Sequence, residues 1–118
     1  MTGPIRVKAT HAIVDGKFDE FRRLGQQFID KVESTEPGYL SYEWYLSSDE
    51  KTCTIVGVLE SSDAVMNHLG NVGDLIAQFS EIAPGTGIEL YGDPSDELRE
   101  VAGSFGASIA GHWNGFTR

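Results

Sequence analysis

The sequence is short of basic residues, of cysteine and of long apolar runs. Nine lysines and arginines stand against 18 aspartates and glutamates, a formal net charge of -9, and the resulting field repels phosphate backbones and anionic lipid. Nucleic acid and membrane surfaces are not expected as partners. No span approaches the roughly 20 apolar residues of a membrane helix, and the opening MTGPIRVK holds no apolar run of signal length. The expected location is cytoplasmic, and the lone Cys53, with no partner for an internal disulfide, fits a reducing compartment. Metal chemistry also lacks its signature, because His11, His68 and His112 do not have metal-ligand spacing. Gly85-Thr86-Gly87 precedes a strand pattern instead of opening a helix, so it is not a phosphate or dinucleotide loop. Repeats, low-complexity segments and dividing linkers are missing too, which leaves one domain over the 118 residues.

What is present is a succession of periodicities. Ile5 to Val14 is rich in β-branched and small residues and stops at Asp15-Gly16, so it is expected to be a strand. From Phe18 the period becomes helical, with Phe18, Phe21, Leu24, Phe28, Ile29 and Val32 in one arc. Gly25 interrupts that arc at a cost of about 1 kcal/mol relative to alanine, and implies a close approach of helix and sheet. Pro37-Gly38 ends the helix. Tyr39 to Leu46 and Thr52 to Glu60, joined by the polar SSDEK, form a hairpin. A hydroxyl at Ser61 or Ser62 followed by Asp63 caps a second helix, which Gly70-Asn71 and Gly73 divide in two. Ile88 to Tyr91 forms the fourth strand. Asp93-Pro94-Ser95 opens a short third helix with Pro in its first turn, and SIAGHWNGFTR is an edge strand or an arm. His11 is expected to pack at a strand end, and Cys53 is expected to be a small buried apolar residue.

This order is the split β-α-β, ferredoxin-like arrangement: an α+β fold whose antiparallel sheet carries both main helices on one face. Residues 5–92 make the ferredoxin-like core and 93–118 a C-terminal helix and arm. The stretch EPGYLSYEWYL poses a difficulty for that fold. Strict alternation puts Leu40, Tyr42, Trp44 and Leu46 on one face and Tyr39, Ser41, Glu43 and Tyr45 on the other, with aromatics on both. The following strand is likewise two-sided, with Cys53, Ile55 and Leu59 opposite Val56 and Val58. Monomers rarely leave such a patch bare. The expected solution is a second copy packed sheet to sheet in a twofold homodimer. The alternative is that the third helix and tail fold back over that face of a monomer.

The run EPGYLSYEWYLSSDEKTCTIVGVLESSDAVMNHLGN, followed by GTGIELYG, resembles the antibiotic-biosynthesis monooxygenase family of dimeric α+β barrel proteins. Pro-Gly before an aromatic strand, the polar hairpin, the strand ending in Glu60-Ser61 and the acid-capped helix reaching His68-Leu69 carry the resemblance over about Ile5 to Gly92. It implies a ferredoxin-like protomer, a dimer with a joined barrel, and a pocket on the sheet side away from the helices. Members of the family include cofactor-independent oxygenases of phenols or quinols, haem-degrading enzymes, and proteins with no established reaction. His68 matches the histidine of many members. The iron-ligating histidine of the haem degraders has no counterpart in Asp74 to Phe79, and their strand-1 asparagine corresponds to Thr10.

In oxygenation without a cofactor the substrate supplies the electrons: deprotonating a phenol, quinol or enol creates a carbanion-like species that reduces oxygen. The protein has to exclude water, hold an aromatic ring and provide a base titrating near neutrality. On this reading His68 is the base, Tyr42 and Trp44 contact the ring, and Thr10 supplies a hydrogen bond, with neither cofactor nor metal. The competing reading takes His68 as a partly buried structural histidine and Tyr42 and Trp44 as core aromatics, in a noncatalytic dimeric module that binds an apolar or aromatic small molecule or assembles with partners.

Overall fold

The computed structural model describes residues 3–118; Met1 and Thr2, the start of the MTGPIRVK segment, lie outside the described residues. The elements follow in the order β1 (Ile5–Ala12), α1 (Phe18–Thr35), β2 (Tyr39–Leu46), β3 (Thr52–Leu59), α2 (Ser62–Asn71), α3 (Gly73–Ile82), β4 (Gly85–Tyr91), α4 (Asp96–Ser104) and β5 (Ser108–Ala110). They build one sheet in the order β2-β3-β1-β4-β5. The first four strands pair antiparallel, which is the ferredoxin-like arrangement expected from the periodicities. The fifth pairs parallel with β4, so the sheet is mixed. Parallel neighbours need a crossover connection, and α4 provides it.

Local chemistry sets the boundaries. β1 stops two residues before Val14 because Ile13 and Val14 turn their amides to the carbonyls of Lys51 and Ile82 instead of the ladder. In the β2–β3 loop, Asp49 accepts from Ser47 Oγ and Lys51 N, and Ser47 Oγ accepts from Thr52 N. The Ser61 hydroxyl caps α2 by accepting from Ala64 N at 3.1 Å. The break between α2 and α3 falls at the fully buried Val72. At α4 the cap is Ser95, which accepts from Leu98 N, so Pro94 stands just ahead of the helix instead of in its first turn. β4 begins three residues earlier than the sequence suggested, because the backbone of Gly85–Gly87 pairs with Thr10 and His11 through a bulge.

The two-sided aromatic strand is resolved by a bulge between Tyr39 and Ser41. One extra residue shifts the alternation, so Tyr39, Tyr42 and Trp44 all face the helices, while Leu40 moves to the opposite side and is exposed. The expected grouping of Tyr39 with Ser41 and of Leu40 with Tyr42 is thereby corrected. On β3 the two sides fall as the alternation required: Cys53, Ile55 and Leu59 are buried, while Val56 is exposed and Val58 only partly covered.

Two apolar clusters lie on the helix side. The first joins Phe21, Leu24, Phe28 and Val32 of α1 to Phe79 and Ile82 of α3 over Cys53 and Ile55. The second joins Val65 of α2 to Leu98 and Ala102 of α4 over Ile5, Leu59 and Leu90. Thus α4 packs on the same face as the other helices, so that part of the monomeric alternative which had the third helix cover the opposite face does not hold, while the tail residues His112, Trp113 and Thr117 lie beside Arg6 and Tyr91 at the edge of that face. Gly25 lies against Trp44: a Cβ there would come within 3.1 Å of the indole, so helix and strand do approach closely at this point.

Candidate functional site

Between the two clusters is a cavity of about 450 Å³. Phe28, Trp44, Ile55 and Phe79 wall it from one cluster, and Leu59, Val65, Leu90 and Leu98 from the other. It lies between helices and sheet, not on the far side of the sheet as the resemblance implied. The helices gather in two groups, α1 with α3 and α2 with α4, and the space between the groups stays unfilled above the strands. No lysine, arginine, aspartate or glutamate lines it.

His68, in the last turn of α2, is the principal polar group of the wall. Its Nδ1 lies 3.0 Å from each carboxylate oxygen of Glu36. A carboxylate only accepts, so Nδ1 carries a hydrogen toward Glu36, and in the neutral tautomer this fixes, the lone pair sits on Nε2 at the opposite side of the ring. Glu36 is 4% exposed. Its burial is tolerated because Asn71 Nδ2 also donates to Oε2, at 2.8 Å, and to Thr35 Oγ1. The backbone fixes Glu36 as well: its amide closes the last turn of α1 on Val32 O, and its carbonyl accepts from Tyr39 N across Pro37-Gly38. A carboxylate that holds the far nitrogen of a histidine sets both the tautomer and the ring orientation, as in hydrolytic triads.

Aromatic rings complete this end. His68 meets Tyr39 at 4.9 Å and Tyr42 at 5.8 Å, both edge to face, and Trp44 stands perpendicular to Tyr42 at 5.8 Å. Burial pushes both tyrosine hydroxyls well above their ordinary range, with Tyr42 and Glu36 adding to the rise at Tyr39. Both remain phenols at neutral pH. At Tyr42 the neighbouring Trp44 N–H opposes the rise in part, although the two groups are not aligned as a full hydrogen bond and the Trp44 Nε1 is buried without a partner.

Of the residues singled out from sequence, the fold brings His68, Tyr42 and Trp44 to one cavity and leaves Thr10 out. Thr10 alternates with Ala9 and His11 on β1, so those two line the cavity while Thr10 pairs with Thr54 on the opposite face. His11 takes the place expected of Thr10. Its Nδ1 donates to Ala83 O at 3.0 Å and its ring packs edge-on against Phe79. Glu36 went unnoticed in the sequence because an acid at a helix end before Pro-Gly has no feature that separates it from a solvated one. Cys53 is fully buried, and burial pushes its thiol up to about 11. Among the described residues no group of three or more histidine, cysteine or acidic side chains could hold a metal ion, and no helix is long and apolar enough to cross a membrane.

Fold and site together define a small α+β sheet protein with a histidine–carboxylate pair at an apolar cavity. The chain belongs to the antibiotic biosynthesis monooxygenase family, whose sequence model matches residues 4–83. Among solved structures it is similar to MupZ from Pseudomonas fluorescens, at 22% identity and a TM-score of 0.89, over 100% of this chain and 91% of that one. It is also similar to a Caulobacter crescentus CB15 protein provisionally assigned as an antibiotic biosynthesis monooxygenase, at 28% identity and a TM-score of 0.69, over 75% of this chain and 88% of that one. Rv0793 from Mycobacterium tuberculosis is 22% identical with a TM-score of 0.68, covering 79% and 97% of the two chains. A search of curated proteins finds no match. Family membership points to monooxygenase-like chemistry or small-molecule binding.

Proposed function

We propose that the protein is a cofactor-independent monooxygenase of an electron-rich aromatic or quinol, with His68 as the base. The observation that carries this reading is the pairing of His68 Nδ1 with buried Glu36 beside an apolar, aromatic-lined cavity, which leaves Nε2 to take a proton from a bound ring. Removing that proton makes the substrate carbon nucleophilic toward dioxygen. One oxygen atom enters as a carbonyl, and the other leaves as water with two substrate hydrogens, one from the oxidised ring carbon and one from the hydroxyl of a phenol or quinol, or both from the CH2 of an anthrone-type ketone. Glu36 stabilises the imidazolium formed on the way, and the walls of Phe28, Trp44 and Phe79 keep bulk water from the reactive carbanion.

Oxygen uptake over a panel of phenols, quinols and anthrone-type ketones tests the reading. A turned-over substrate should lose roughly a hundredfold or more of its rate in His68→Ala with the fold retained. Uptake by no member of the panel, with ligands still binding the cavity, would transfer the protein to the noncatalytic binding reading.

The same proposal includes a homodimer in the cytoplasm. The sheet face away from the helices shows Tyr45 at 57% and Val56 at 41% exposure, with Val58 two residues beyond Val56 along β3 and the Lys8–Glu89 pair beside Val56 on β1 and β4. A second copy covering that face accounts for these residues. Val56→Arg should then convert a dimer to a monomer in light scattering, and a monomeric parent protein would end this part of the proposal.

A further inference from the structure

The end of the cavity remote from Glu36 carries three polar side chains, His11, Ser80 and Thr86. Each has already committed its hydrogen to a backbone carbonyl. His11 Nδ1 donates to Ala83 O at 3.0 Å, Ser80 Oγ to Ile76 O at 2.9 Å, and Thr86 Oγ1 to Thr10 O at 3.3 Å. What they retain toward a ligand is lone pairs: Nε2 of His11 and the two hydroxyl oxygens. The wall holds no lysine or arginine that could balance an anion.

We propose that this end of the cavity is a donor-selective subsite, in which His11 Nε2, helped by Thr86 and Ser80, accepts a hydrogen bond from a neutral hydroxyl or amino group of the ligand and turns away a carboxylate or phosphate. Acceptors facing an anion repel it and no cation in the wall offsets that repulsion; Ser80 and Thr86 stand at the exposed rim, so the half-buried His11 dominates the discrimination. Burial lowers the basicity of His11, with the Ala83 carbonyl opposing in part, so the ring stays an acceptor at neutral pH instead of becoming an imidazolium that would welcome an anion. His11 is thus a specificity residue, while His68 is the base. The inference rests on the cavity being a ligand site, as in the proposed function, but not on turnover.

Three probes of one shape test it: the β isomers of naphthol, methoxynaphthalene and naphthoate. Binding is followed by Trp44 fluorescence in a Trp113→Phe background, since the chain has two tryptophans. The protein should bind naphthol about three- to tenfold more tightly than methoxynaphthalene, the value of one net hydrogen bond, and naphthoate more weakly still. His11→Phe should abolish the naphthol preference. His11→Gln, which keeps an acceptor, should retain part of it. Should His11→Phe fail to fold, His11→Gln and Thr86→Val carry the test, each reducing the preference. Naphthol that does not bind, naphthoate that binds equally well, or a preference lost in His68→Ala but kept in the His11 variants would overturn the subsite. Absent oxygen uptake with this pattern intact would defeat the oxygenase reading alone.

Discussion

The ring of Tyr39 lies directly across Gly57 on the neighbouring strand, so that a Cβ at Gly57 would overlap the Tyr39 hydroxyl and come within 2.8 Å of its ring. Glycine at this point of β3 lets a tyrosine from the edge strand lie flat and reach His68. Gly57→Ala should cost about 1–3 kcal/mol, as for other overpacked sites, and should weaken ligand binding by displacing Tyr39. Adding Tyr39→Ala to Gly57→Ala should recover part of the stability in urea melts. Strictly additive losses would show that the two residues are not coupled.

Glu36 has hydrogen bonds from two partners, His68 and Asn71. Glu36→Ala strands both and should destabilise the fold by about 1–3 kcal/mol. Glu36→Gln keeps the shape with a weaker orienting charge. It should fold nearly normally yet lower any His68-dependent turnover by about 10- to 100-fold, the usual effect of removing a histidine's orienting partner. Turnover unaffected by Glu36→Gln would remove Glu36 from the mechanism.

Cys53 should resist modification. It is fully enclosed between β3 and α1, and burial moves its thiol up to about 11. Thiol-reactive dye added to native protein near neutral pH should label at the rate of unfolding, rising to rapid labelling only in denaturant. Rapid labelling of the native protein would mean that the core under Ile55 opens readily.

His11 predicts the direction of a pH effect. Its folded pKa lies below the unfolded value of about 6.5, so the unfolded chain binds a proton that the native state refuses. The associated stability is complete above that value and declines as the pH falls from it toward the folded pKa. Urea midpoints measured from about pH 7.5 down to about pH 5.5 should fall less in His11→Gln than in the parent protein. Parallel slopes for the two proteins would contradict the assignment.

Several of these residues were legible before the fold was known, and others were not. The helical arc from Phe18 to Val32, the hairpin around SSDEK and the serine cap of α2 are local features, and local propensity and periodicity specify them. His68, Tyr42 and Trp44 emerged because the pattern of the EPGYLSYEWYL strand and the following helix is carried by neighbouring residues. Strand edges were less certain: the hydrophobic pattern of Ile5 to Val14 continues past Ala12, but its last amides bond outside the ladder.

The sequence by itself determined the order of elements, the ferredoxin-like α+β class and the aromatic strand, because each depends on spacing along the chain. Only the tertiary structure decided which face that strand presents, since a single bulged residue near Leu40 reverses the alternation and gathers Tyr39, Tyr42 and Trp44 under the helices. It also decided that His11 and not Thr10 enters the cavity, and that Glu36, 32 residues away in sequence, holds His68. Contacts between distant segments depend on register and packing, and no local pattern along the chain encodes them.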